Sequence, residues 1–161
     1  MKILIMIAML LMVPIQAEAG TYANYGIGIF HANDYNSAAV KSFSVGHNEQ
    51  LFGPVIYQYE GGYFGDSSGH GREPSGFGSG ELGVEADPGY FVLRSLWGVG
   101  FITTPDAMLG GPVQFNQDFL IGIKGNNGAI IGLDYKHMSS AGLERPNLGR
   151  DFILIHVELP F

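Results

Sequence analysis

His137 and Ser139 stand two residues apart in Tyr135-Lys136-His137-Met138-Ser139-Ser140, and Asp151 follows beyond an intervening loop. An extended strand puts residues i and i+2 on one face, about 7 Å apart along the chain, so the imidazole and the hydroxyl point the same way. A hydroxyl near a base, with a carboxylate able to join them, is the set of parts of an activated serine nucleophile. The chemistry such a set performs is acyl transfer, which also needs donors for a developing oxyanion.

Two strands must position these groups. Ala129 to Asp134 alternates before the pair, and Phe152 to Phe161 forms a second strand-like run that ends the chain. Between them lie Gly142, Pro146, Asn147 and Gly149, which punctuate a loop. Ala129, Ile131, Leu133, Tyr135, His137 and Ser139 share one face of the first strand; Asp151, Ile153, Ile155, Val157, Leu159 and Phe161 share one face of the second. In both strands the chemically active residues extend the apolar face. If that face looks at lipid, so does the site, and its substrate is an acyl chain embedded in a membrane.

The rest of the chain is consistent with such a setting. Met1-Lys2, an apolar run from Ile3 to Ile15 and a small-residue end at Ala17-Glu18-Ala19 match a secretory leader, with cleavage expected after Ala19 and one domain over 20–161. There is no cysteine, so disulfides, thiol chemistry and cysteine-ligated metal are excluded. A net charge of −7 argues against nucleic acid as a partner. The 25 glycines and 12 % aromatics accompany alternating segments with no later helical span.

Alternating segments begin at Tyr22, Val40, Val55, Ser79, Tyr90, Val113, Ala129 and Asp151, separated by polar or glycine-rich stretches at His31–Ala39, Gly65–Ser75 and Thr103–Gly111 and by turn signals at Asp87-Pro88-Gly89 and Asn126-Asn127-Gly128. The expected architecture is an all-β, eight-stranded antiparallel transmembrane β-barrel in the bacterial outer membrane. Its inward face collects Glu60, Glu81, Glu85, Arg94, Asp118, Lys124, Asp134, Lys136, His156 and Glu158, whose mixed signs can pair in a narrow lumen. Tyr22, Tyr25, Phe64, Tyr90, Phe101, Phe115 and Tyr135 are expected to form an interfacial girdle. The rival architecture is a soluble lipocalin-like barrel with an apolar core.

From His137-Met138-Ser139 through Pro146-Asn147-Leu148-Gly149 the sequence resembles the lipid A 3-O-deacylase (PagL) family of outer-membrane enzymes, which carry a His-x-Ser pair, Ala-Gly, a Pro-Asn-x-Gly loop and an acid heading the last strand. The resemblance implies hydrolysis of the ester-linked acyl chain at the 3-position of lipid A. It implies Ser139 as nucleophile, His137 as general base and acid, Asp151 as the orienting acid, and Asn147 with the Gly142 backbone N–H as the oxyanion hole. Lipid A or lipopolysaccharide would be the substrate and outer-membrane lipid the surroundings, with self-association as a homo-oligomer compatible with this reading. Two departures stand out: the family's usual acid is glutamate, longer than Asp151, and an asparagine commonly follows its serine where this chain has Ser140.

No metal and no cofactor are expected, since His31, His47, His70 and His156 lack metal-ligand spacing. Glu144 is an alternative acid from the loop. The competing functional reading is a small non-catalytic structural or adhesive barrel, in which His137 and Ser139 are merely polar groups at headgroup level.

Overall fold

The computed structural model describes residues 19–30, 40–65, 74–104, 109–143, 147 and 149–160. Period-2 alternation of apolar with small or polar residues folds these segments into β1 (Ala19–Phe30), β2 (Val40–Phe52), β3 (Val55–Phe64), β4 (Ser75–Ala86), β5 (Phe91–Ile102), β6 (Val113–Lys124), β7 (Ile130–Ser139) and β8 (Arg150–Pro160). Every strand pairs antiparallel with its sequence neighbours, and β8 closes on β1 from Gly20↔Pro160 to Phe30↔Arg150. Closure leaves no sheet edge, which is what allows strands to cross a bilayer. The leader expectation, the His31–Ala39 loop and Phe161 lie outside the described residues, apart from Ala19, which opens β1.

Connections alternate in length. Those at 53–54, 87–90 and 125–129 are tight, whereas 31–39, 65–74, 103–112 and 140–149 are longer intervals, and the strand ends that flank them share the opposite end of the barrel. In outer-membrane barrels the longer connections face the cell exterior. The ends of β7 and β8 that carry His137, Ser139 and Asp151 therefore lie at the outer rim.

The outer wall is apolar. Leu133 is 55 % exposed, Ile155 54 % and Ile121 58 %, and Ile153, Trp97 and Val99 point the same way. A soluble barrel would bury this face, so the wall is the lipid-facing one and the soluble alternative fails.

The interior has two layers. In the middle, Lys136 from β7 contacts Glu60, lies 2.9 Å from Asp118 and 3.6 Å from Glu81. Arg94 bridges Glu85 (2.5 Å) and Glu158 (2.9 Å), and Glu158 also accepts from Asn48 (2.9 Å). Asn24, paired directly with His156 across β1 and β8, links that imidazole to Asp134 of β7 along the inner wall. Towards the long connections the lumen turns apolar, with Phe64, Phe77, Ile102, Leu109, Met138 and Phe152 among one buried cluster. Met138 and Phe152 face inward between the outward site residues, so this cluster anchors the backbone that carries the site.

Two expectations are corrected. Tyr22 and Phe64 do not belong to an interfacial girdle; both are 2 % exposed inside the barrel. Tyr22 shares the strand phase of Asn24 and stacks on His156, and Phe64 shares the phase of Glu60 and packs on Phe77 and Phe152. Their phase in the alternation, not their aromatic type, decides the side. β4 also begins at Ser75, earlier than Ser79, because Gly76 to Gly78 pair with β3 and extend the ladder into the glycine-rich stretch.

Candidate active site

β7 and β8 pair with His137 directly opposite Asp151. Directly opposed side chains on one face of an antiparallel pair have Cβ atoms about 4.5–5.5 Å apart. A short carboxylate spans that gap: His137 Nδ1 lies 2.6 Å from Asp151 Oδ1. The longer side chain of glutamate is not needed here. The two side chains are 22 % and 23 % exposed, so the pair is partly desolvated yet reachable from the lipid side.

An imidazole that donates Nδ1–H to a carboxylate keeps Nε2 as its basic nitrogen. Ser139 follows on the same face of β7, also half-buried. Among the described residues the hydrogen bond from His137 runs to Asp151, and none joins it to Ser139. Contacts of this kind commonly tighten only when substrate is bound.

The loop after β7 is shaped by local backbone geometry. Ala141 (φ 50°) and Gly142 (φ 80°) both occupy the left-handed region, and Leu143 N donates to Ser140 O at 3.0 Å. This is the pattern of a type I′ turn, which folds the chain back at the end of β7. Asn147 returns to the same place, its Oδ1 accepting from Ser140 N at 2.9 Å. A carboxamide whose oxygen is so engaged has its nitrogen available as a donor. Gly149 then passes over the imidazole: at φ +71°, a Cβ there would lie 2.8 Å from His137 Cε1.

The structure thus brings His137 and Asp151 together and ties Asn147 to the end of β7. It places Gly142 at the turn apex, where a Cβ would meet nothing within 4 Å. Glu144, the alternative acid, lies outside the described residues. Sequence reasoning missed one participant. Tyr135 lies on the outer wall, as a girdle residue does, and its hydroxyl in addition donates to Asp151 Oδ1 at 2.7 Å. The signal was present in its phase, two residues before His137 on one face. The register also sets Gln117 opposite His137 and Phe115 opposite Ser139, so β6 supplies the neighbouring wall.

Carboxylate oxygens of Glu60, Glu81 and Asp118 come within 4.8 Å of one another in the lumen. Lys136 occupies their midst as counter-ion, which makes them an ion-pair network of the interior, not a part of the site on the outer wall.

Fold and site together define an outer-membrane β-barrel that carries a histidine–carboxylate pair on its lipid-facing wall near the outer rim. The chain belongs to the lipid A 3-O-deacylase (PagL) family, whose sequence model matches residues 41–160, a stretch that includes His137, Ser139, Asn147 and Asp151. Among solved structures, the crystal structure of the outer membrane enzyme PagL aligns with a TM-score of 0.60 and 18 % identity, covering 88 % of this chain and 99 % of that one. A de novo designed transmembrane β-barrel aligns at 0.64 with 9 % identity, over 93 % of this chain and all (100 %) of the other. The Yersinia pestis outer membrane protein Ail aligns at 0.54 with 10 % identity, over 91 % and 100 %. At these identities the structural likenesses show the barrel alone. No curated protein sequence matches the chain.

Proposed function

We propose that this protein is a serine esterase that removes the ester-linked 3-hydroxyacyl chain from the 3-position of lipid A, working from the membrane-facing side of the barrel. Ser139 Oγ attacks the acyl carbonyl while His137 Nε2 takes its proton. The carbonyl oxygen becomes an oxyanion, received by the Asn147 amide nitrogen and the Gly142 N–H. His137 returns the proton to the departing 3-oxygen of the sugar, leaving an acyl-enzyme that water hydrolyses by the same steps. Asp151 holds the imidazole in the required tautomer and stabilises its protonated form.

The observation that carries this reading is the 2.6 Å contact between His137 Nδ1 and Asp151 Oδ1 on a wall otherwise built for lipid. Polar and ionisable groups facing a bilayer are costly, and their presence as a bonded pair is explained by function. The family membership supplies the substrate class. Mass spectrometry of lipid A from cells expressing the wild type or Ser139→Ala tests it. Loss of one 3-hydroxyacyl chain with the wild type alone is the expected result; identical lipid A from both strains removes the proposal and leaves the structural-barrel reading.

A further inference from the structure

We infer that Tyr135 is a positioning residue of this site, locking the carboxylate of Asp151 so that it presents one fixed oxygen to His137. The inference rests on the reading of His137 and Asp151 given above. Tyr135 Oη donates to Asp151 Oδ1 at 2.7 Å, and this is the same oxygen that lies 2.6 Å from His137 Nδ1.

The register explains why a tyrosine performs this task. Tyr135 is paired with Ile153, so Asp151 is its diagonal neighbour across the strands. Diagonal positions lie about 7–8 Å apart, beyond a small side chain but within reach of a tyrosine. The ring is itself fixed on the outer wall: Tyr135 packs on Phe119 at 6.3 Å between centroids, and Phe119 meets the edge of Trp97 at 6.0 Å. These three aromatics run across β7, β6 and β5 and hold the hydroxyl in place.

The chemistry calls for such a lock. Asp151 sits at the head of β8, partly exposed beside lipid, with two rotatable bonds. A carboxylate leaving water requires hydrogen-bond donors, and bonds to an ionised acceptor are about twice as strong as neutral ones. A phenol donates one strong bond without adding charge. It therefore holds Asp151 without competing with imidazolium as a counter-ion. If Tyr135 were only an interfacial aromatic, its ring would matter and its hydroxyl would not.

Tyr135→Phe keeps the ring and removes the donor. In the full-length barrel folded in detergent micelles with lipid A, it is expected to lower kcat about ten- to hundredfold, the worth of one hydrogen bond to a charged group, with KM changed by less than about threefold. Because it acts through Asp151, the same change made in Asp151→Asn should cost less than about twofold more. Wild-type kcat in Tyr135→Phe, or equal losses in both backgrounds, overturns the inference. If wild type is active and Ser139→Ala is not, such a result leaves the proposed function standing. The His137 Nδ1–H proton resonance of the solubilised barrel gives a readout without turnover. Tyr135→Phe should move it, and an unmoved resonance overturns the inference even if no deacylation occurs.

Discussion

Asp151 lies directly across the β7–β8 ladder from His137, not one step along it. This opposition makes the short acid sufficient: Oδ1 reaches Nδ1 at 2.6 Å. Changing the acid of a serine triad to its amide costs about 10⁴ in turnover. Asp151 is partly exposed here, so Asp151→Asn is expected to lose on the order of 10²–10³ while remaining folded. Glu144→Gln should stay near wild type. Deacylation assays on the two variants side by side check this, and the opposite ranking would transfer the role to the loop.

The two loop glycines should respond differently to alanine. Both have positive φ, so each substitution carries backbone strain of about 1–2 kcal/mol. At Gly142 a Cβ enters open space, whereas at Gly149 it comes within 2.8 Å of His137 Cε1. Gly149→Ala is expected to displace the imidazole and lower kcat by tenfold or more, on the order of one lost catalytic contact. Gly142→Ala should lower it less. Steady-state kinetics on both, with heat-modified gel mobility as the folding control, decides the order.

Lys136 is the cation among Glu60, Asp118 and Glu81 in the lumen and is 1 % exposed. Lys136→Met leaves those carboxylates uncompensated, and breaking a buried ion pair costs about 3–5 kcal/mol. Urea unfolding of the barrel in lipid vesicles should show a drop of that order. Lys136→Met with Glu60→Gln should recover part of it; no recovery would mean that the two groups are not energetically coupled.

Leu133 lies on the lipid face and Asp134 in the lumen, one residue apart. Leu133→Arg is expected to destabilise the barrel by about 2–4 kcal/mol if it sits near the bilayer midplane. The polar exchange Asp134→Asn should cost less, because its environment contains Asn24 as a hydrogen-bond partner at 3.2 Å. Folding free energies in bilayers test the assignment, and a reversed order would invert the two faces.

The sequence by itself determined the strands, their faces and the alignment of His137 with Ser139, because a period of two is local and needs only consecutive residues. It also held the inward placement of Tyr22 and Phe64 in its phase, where residue type misleads and alternation does not. The Pro-Asn-x-Gly loop and its neighbours carry the family resemblance in the order of their residues alone. What the tertiary structure decided is everything that depends on register between strands. The pairing of β7 with β8 sets which residue of β8 faces His137, and a slip of one position would have turned Asp151 into the lumen. The same register brings the Tyr135 hydroxyl onto Asp151, and the separate register of β6 on β7 sets Gln117 opposite His137. Closure of β1 on β8 gathers Lys136, Glu60 and Asp118 from three separate strands. Pairing across strands is fixed by hydrogen bonding, turn geometry and ring closure acting together, and none of these can be read from one strand alone.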